Sequence, residues 1–317
     1  MMNGFAYRVT AQAVEEIAPR DALGATAEFV WIHLSSRDAE VQAWLRDHAA
    51  LDHFTIDALT ALETRPRCEQ VDGAALLNLR GMTQAQMGSS DPLASIRLRA
   101  DGRRVISVTR LPLDALDAAR AAMATGAIRD AGDLIATLAT AITEQLDPQV
   151  AQLGDSLDDC EERLEPRAAF DLRRNVSRVR REAIGYRRFL YPQRAALEKL
   201  AGLPVSWLSD DDRLHISAAA DRAARMAEEL ESIRERSALI HEALTDLRAE
   251  VIDQRSLLIA VVAMIFLPLT FITGLFGMNV DGIPYAHHPG SFWAITGFSL
   301  TVAAGVALYF VRRRWFQ

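Results

Sequence analysis

The chain is poor in cysteine, with Cys68 and Cys160 the two it has. Two cysteines exclude a disulfide-built scaffold, and this pair lacks the close spacing of a zinc knuckle or redox couple. No GxGxxG, Walker or HExxH pattern occurs, so energy coupling by a nucleotide has no support. No Ser-His-Asp or Cys-His grouping stands together locally, and an enzyme is not expected. Positive charge is not in excess: the net charge is -7, which argues against nucleic acid as a partner. No apolar stretch lies near the first residues, so no signal peptide is expected. Disorder is equally excluded, because 50% of the residues are hydrophobic and 24% charged.

The apolar residues are not spread evenly. Two runs carry no charge at all: Ser256–Phe276, SLLIAVVAMIFLPLTFITGLF, and Ser291–Val311, SFWAITGFSLTVAAGVALYFV. Each matches the roughly 20 apolar residues that one membrane crossing requires. Helices buried in a soluble core rarely run so far without a charge. Arg255 precedes the first run, and Arg312, Arg313 and Arg314 follow the second. The intervening loop, GMNVDGIPYAHHPG, has neither Lys nor Arg. The positive-inside rule places residues 1–255 and the tail 312–317 in the cytoplasm and the loop outside, with Trp293 and Trp315 suited to the two interfaces.

Two helices cannot enclose a polar path, so transport of a solute requires several chains to pool their helices around one axis. Every seventh residue into the first run gives Glu242, Ala249, Ser256, Ala263, Thr270 and Gly277, with Gly274 beside the seam. A period of 3.5 keeps one seam on the axis of a left-handed bundle. Small residues there permit close helix packing, and they equally suit a narrow pore lined by hydroxyls and backbone oxygens. Pro268 removes a backbone donor and is expected to bend the helix, which shifts where Thr270 and Thr273 point.

Upstream, helical patterning extends back to about Ser209, with Asp210 and Asp211 as first-turn acids. Together with the first span it predicts a stalk of roughly 65 residues, about 100 Å long. Glu228, Glu231, Glu235, Glu242, Asp246, Glu250 and Asp253 share one stripe, opposite Met226, Leu230, Ile233, Ile240, Leu244, Leu247 and Val251. The acids are a solvated face, or a cytosolic cation funnel at Glu242, Asp246, Glu250 and Asp253, or partners for the basic helical stretch Arg163–Lys199. That stretch includes Arg173, Arg174, Arg178, Arg180, Arg181, Arg187 and Arg188, and a hairpin turn at 201–207 would set it beside the stalk. Its arginines suit anionic headgroups or stalk counter-charge.

The first 145 residues read as a cytosolic α/β domain. Strand-like runs lie at 28–34, 65–71, 74–80, 93–99 and 103–109, and helical patterns at 37–49, 53–62, 113–124 and 132–165. The expected division is 1–145 α/β domain, 146–255 helical hairpin and stalk, 256–276 and 291–311 membrane helices, 277–290 external loop and 312–317 basic tail. His48 and His53 with nearby aspartates form a candidate soluble metal site. Asp281, His287 and His288 in the external loop are candidates for transient capture of a metal, since imidazole suits zinc.

Gly277-Met278-Asn279 closes the first of two C-terminal spans behind a long stalk, and in that place it resembles the signature of the CorA family of divalent-cation transporters. The resemblance covers the whole chain in architecture. The stretches 63–68 (ETRPRC), 76–81 (LLNLRG), 104–108 (RVISV) and 280–284 (VDGIP) are similar to the ZntB zinc branch of that family. The resemblance implies a homopentamer in the bacterial inner membrane, in contact with lipid, with both termini cytoplasmic and the first spans around the pore. Gly277, Met278 and Asn279 would form the pore mouth, and Ser256, Ala263, Thr270, Thr273 and Gly274 its lining.

Five Asn279 amides would offer neutral oxygens to a hydrated cation. The cargo implied is a divalent cation, zinc by preference and magnesium or cobalt otherwise, with no resident cofactor. Neither span contains Cys, His, Asp or Glu, so the membrane holds no dehydrated zinc site and no proton relay. If protons are coupled, the titrating groups are His287, His288 or the stalk acids. The alternatives are a magnesium or cobalt channel gated by cytosolic metal and, from another class, a membrane-anchored sensor or scaffold.

Overall fold

The computed structural model describes residues 4–35, 40–62, 65–83, 93–165, 168–278, 283 and 288–312. The chain divides into two compact units: Met1–Glu162 with Arg174–Ile240, and Arg163–Arg173 with His241–Gln317.

The first unit is built on a seven-stranded mixed sheet in the order β2-β1-β3-β7-β6-β5-β4. Its strands are β1 (Gly4–Val9), β2 (Val14–Ile17), β3 (Phe29–Ser35), β4 (Arg67–Val71), β5 (Ala74–Met82), β6 (Leu93–Ala100) and β7 (Arg104–Thr109). β3 runs parallel to the central β7, with Ile32 opposite Ile106, and every other pairing is antiparallel. Burial on both faces explains why β3 reads FVWIHLS, nearly continuous in apolar residues. Asp72 and Gly73 both take positive φ, 49° and 78°, as a tight β4–β5 hairpin turn requires. The β1–β2 hairpin and the short α1 (Pro19–Ala22) lie outside the elements that periodicity predicts, because the edge strand VEEI is half polar and buries nothing fully.

Helices cover both faces. On one, Val41, Trp44 and Leu45 of α2 (Glu40–Asp47) and Ile56 and Leu59 of α3 (His53–Thr60) join Ala6, Ile32, Leu34, Ile106 and Val108 in a single core. The other carries α4 (Ala115–Ala124) and α5 (Ala131–Glu162). There Gly81 leaves room for α5, since a β-carbon would meet Ile142 and Leu113 side-chain atoms at 3.0 Å.

That second face holds a buried polar cluster. Ser107 Oγ accepts from Trp31 Nε1 at 2.8 Å and lies 2.9 Å from His33 Nδ1, while Thr109 Oγ1 is 3.4 Å from His33 Nε2. Phe5 stacks on the imidazole at 4.9 Å. Burial, aided by the Arg120 charge, holds the His33 pKa down at about 3.

α6 (Ala169–Ala201) and α7 (Asp210–Phe276) follow. α7 starts on a reciprocal cap: Ser209 N–H donates to Asp212 Oδ2 at 2.9 Å, and Asp212 N–H to Ser209 Oγ at 3.1 Å. Its apolar positions Met226, Leu230, Ile233 and Ile240 are buried, as the striping requires. The basic-to-acidic helix pairing is sparse. Among the described residues one ion pair, Arg187–Glu231 at 2.8 Å, joins α6 to α7. Instead, arginines of α7 bind acids of α5: Arg236 reaches Asp158 at 2.5 Å and Glu161 at 2.7 Å, and Arg222 reaches Glu144 at 3.4 Å. In the second unit α7 continues helical through Pro268 to Phe276, and α8 spans Ser291–Arg312.

Because His33 stays neutral in the folded chain, the unfolded chain binds the extra proton below pH 6.5. The stability tied to His33 is therefore complete above pH 6.5 and is lost as pH falls toward about 3. His33→Gln should reduce the acid-side slope of stability by up to about 1.4 kcal/mol per pH unit. Thermal unfolding of the full chain in detergent between pH 7 and pH 4.5 measures it, and parallel curves would contradict the assignment.

Candidate ion pathway

The two C-terminal helices are long and apolar enough to cross a membrane, and almost none of either apolar window is buried in the chain. Ile259, Leu267, Phe271 and Trp293 are 69%, 76%, 70% and 74% exposed. An apolar surface that continuous is unstable in water and stable in hydrocarbon.

Coverage along α7 is not random. Between 256 and 276 the buried or half-covered positions are Leu257, Val261, Ile265, Leu269 and Ile272. Spacings of four, four, four and three draw one stripe along a helix. On α8 the matching positions are Ser291, Ile295, Thr296, Ser299, Val302, Ala303, Val306 and Phe310. At about 100° per residue, Ser256, Ala263, Thr270 and Gly274 lie on the side of α7 opposite its covered stripe. All four are exposed. The seam of small residues thus faces away from the positions that one chain covers by itself. Thr273 stands to one side of it, and its hydroxyl donates back to Leu269 O at 2.9 Å.

At the end of α7, Gly277 N–H donates to Thr273 O at 2.9 Å and Met278 is half-exposed. Asn279, Asp281 and His287 lie outside the described residues, as does the tail beyond Arg312. His288 is exposed and serves the start of α8: its Nδ1 accepts from Gly290 N–H at 3.2 Å and its carbonyl from Ser291 N–H at 3.1 Å. Toward the other end of this unit, Glu242, Asp246, Glu250 and Asp253 are exposed. Among the described residues none of the four has an ion-pair partner. They form an unneutralised carboxylate stripe ending just before Ser256.

The His48–His53 candidate does not come together as a metal site. His53 Nδ1 pairs with Asp57 at 3.0 Å, and His48 stacks on Trp44. Asp52 caps α3 through Thr55 N–H at 3.0 Å and its hydroxyl at 2.6 Å, bonds that lower its pKa. Among the described residues, three ligand-type side chains converge only at Asp130, Asp133 and Asp212, a group that periodicity did not bring together. Each accepts a backbone N–H near the start of α5 or α7, from Asp133, Arg129 and Ser209 respectively. Burial and the neighbouring carboxylates raise the Asp130 pKa. Helix capping accounts for all three.

A seven-stranded α/β unit is thus followed by a 67-residue helix and a second apolar helix, both able to cross a membrane. Residues 26–314 match the family model described as CorA-like Mg2+ transporter protein. The chain belongs to that family and is a divalent-cation transporter by class. It is 35% identical over 311 residues to a divalent cation transporter, CmaX, of Pseudomonas aeruginosa, covering 96% of this chain and 90% of that one. It is 31% identical over 297 residues to a zinc transport protein, ZntB, of Klebsiella pneumoniae, covering 90% and 87%. The solved full-length CmaX structure matches with a TM-score of 0.80 at 30% identity over 99% of both chains. A CorA magnesium transporter from Methanocaldococcus jannaschii shares the fold, with a TM-score of 0.82 at 15% identity over 99% of both chains.

Ile265 sits midway along the apolar part of α7, where a carboxylate should cost about 3 kcal/mol of insertion. Ile265→Asp should therefore sharply lower the fraction retained in membranes after alkaline extraction, while Gln254→Asp leaves it unchanged. Equal retention of both variants would contradict a membrane position for this segment.

Proposed function

We propose that the chain assembles as a homopentamer in the bacterial inner membrane, both termini cytoplasmic, and conducts divalent cations along an axis surrounded by five copies of α7. The observation that carries this reading is the seam of Ser256, Ala263, Thr270 and Gly274, exposed on the side of α7 opposite its covered stripe. Small side chains let backbones approach and leave hydroxyl and carbonyl oxygens toward the axis. Gly277, Met278 and Asn279 form the outer mouth, where five Asn279 amides hold a hydrated cation without replacing its water, which magnesium in particular releases reluctantly. Asp281, His287 and His288 capture the metal transiently at the entrance. Glu242, Asp246, Glu250 and Asp253 concentrate cations at the cytosolic end, an effect that salt screens.

Zinc is the favoured cargo. The supports are the likeness to proteins named for zinc transport and a loop in which Asp281 is the single acid. A magnesium or cobalt channel is the second reading, favoured by the description of the matching family. Proton linkage, if present, runs through His287, His288 or the stalk acids, because neither span carries a titrating carboxylate or imidazole.

Purified protein in liposomes tests this directly. Zinc uptake should respond to a proton gradient and fall about tenfold in Asn279→Ala, corresponding to ~1.4 kcal/mol of lost ion stabilisation. Magnesium uptake indifferent to protons would support the channel reading. Absence of flux for every divalent metal would leave a membrane-anchored sensor or scaffold.

A further inference from the structure

Within the first unit, α6 has an outward face as regular as its buried one. Val176, Val179, Ala183, Tyr186 and Leu190 are buried at alternating intervals of three and four residues. On the opposite side Arg174, Ser177, Arg181, Ile184, Arg188 and Tyr191 follow the same alternation, and all but the half-covered Ser177 are exposed. Ile184 and Tyr191 are 47% and 65% exposed, so this line sets large apolar groups in solvent between arginines. Among the described residues Arg174, Arg181 and Arg188 have no ion-pair partner. The arginines off the line do: Arg178 pairs with Glu182, Arg187 with Glu231 and Arg194 with Glu198. A helix with a 3.5-residue repeat on both sides can pack along both.

α5 carries the complement. Leu146, Val150, Leu153, Leu157 and Cys160 are buried, and on the other side Pro148, Gln152, Asp155, Asp159 and Glu162 are exposed with the same alternation. Among the described residues Asp155, Asp159 and Glu162 have no ion-pair partner, whereas Asp158 and Glu161 spend their charge on Arg236. Both lines are exposed, so they do not meet within one chain. Asn175 Nδ2 donates to Cys160 Sγ at 3.1 Å, which sets α5 and α6 level at that point. Counting away from it in opposite directions along the two helices brings Glu162 level with Arg174, Asp155 with Arg181 and Gln152 with Ile184, to within a residue. Glu144 and Asp158 meet Arg222 and Arg236 at the same sequence interval on both helices, so α5 runs alongside α7. Rotation about an axis along α7 preserves these heights, so a neighbouring copy offers its acidic line at the level of this basic one.

We propose that the outward line of α6, Arg174–Tyr191, docks on the outward line of α5, Pro148–Glu162, in a second copy of this chain. Arg174 then meets the partner's Glu162, Arg181 meets the partner's Asp155, and Ile184 packs beside the partner's Gln152. The two faces differ, so the contact is heterologous, and repeated around an axis it closes a ring. This rests on the pentamer proposed above and adds the faces that join adjacent copies outside the α7 axis. Exposed ion pairs add little strength each, and their part here is to set register and partner choice. Ile184 and Tyr191 supply the apolar contact.

Full-length protein carrying both Gln152→Cys and Ile184→Cys is oxidised in detergent and separated without reductant. Cys68 and Cys160 are buried, which leaves the two new thiols to react. Heterologous links should produce a ladder from dimer to pentamer. Moving the second thiol along the same line, from Ile184→Cys to Ala195→Cys, should leave monomer, because a disulfide tolerates no such offset. Asp155→Arg or Arg181→Glu, added singly, should cut linking about tenfold by opposing like charges, and the two together should restore it. A link confined to one chain, a ladder that stops at dimer, or equal linking from Ala195→Cys would overturn the proposal. Particle mass by light scattering separates this from failure of the assembly itself. A pentamer without links between positions 152 and 184 overturns the docking alone, and a monomer overturns both.

Discussion

Hydrocarbon offers no hydrogen-bond partner and no counter-ion, and the C-terminal fifth of this chain is shaped by that single constraint. Backbone groups there must pair within the helix, so α7 and α8 are unbroken through their apolar windows, Pro268 included. Charges are pushed to the ends, at Arg255 before the first window and at Arg312 after the second. Hydroxyls that would be unpaired turn back on their own helix: Thr273 to Leu269, Thr296 to Phe292 and Thr301 to Gly297. With polar groups this scarce, a hydrophilic route through the layer has to be assembled from copies of one helix face.

The first unit obeys the opposite solvent. Its sheet is sealed on both faces, and its interior polar groups mostly find partners. His33, Ser107, Trp31 and Thr109 satisfy one another, with the imidazole kept neutral by burial. Arg236 draws Asp158 and Glu161 together and is held charged by both. Carboxylates closer to the membrane, from Glu242 to Asp253, find no such partners among the described residues. One helix therefore carries paired charge in one unit and free negative charge in the other.

Much of this fold was legible in the sequence. The uncharged runs and the 3.6-residue striping of α7 are long signals that tertiary context seldom reverses. β3 to β7 announced themselves by apolar runs bounded by Asp72-Gly73 and Asp101-Gly102. The β1–β2 hairpin did not, because VEEI owes its extended form to pairing with β1 and not to its own pattern. The acidic stalk and basic helix suggested mutual pairing, but charge composition is silent on rotation about a helix axis: among the described residues one such pair forms, Arg187–Glu231, and arginines of α7 itself pair with acids of α5. The Asp130–Asp133–Asp212 group was invisible for a related reason: it joins the starts of two helices far apart in sequence. Of the candidate pathway, the heptad of small residues could be read directly. Which way it faced could not, since that depends on which positions of α7 the folded chain covers.

The central claim is that the small-residue seam of α7 faces an aqueous axis. Single cysteines at Ser256, Ala263 and Thr270, compared with Phe298 and Leu308 on α8, test it most directly in membranes. The native Cys68 and Cys160 are buried, and burial lifts the Cys68 thiol to about 11, so neither competes for a thiolate-directed reagent. A charged, water-borne methanethiosulfonate should modify the three seam positions and block metal flux, leaving the two α8 positions untouched. Modification of Phe298→Cys and Leu308→Cys with the seam unreactive would contradict the account.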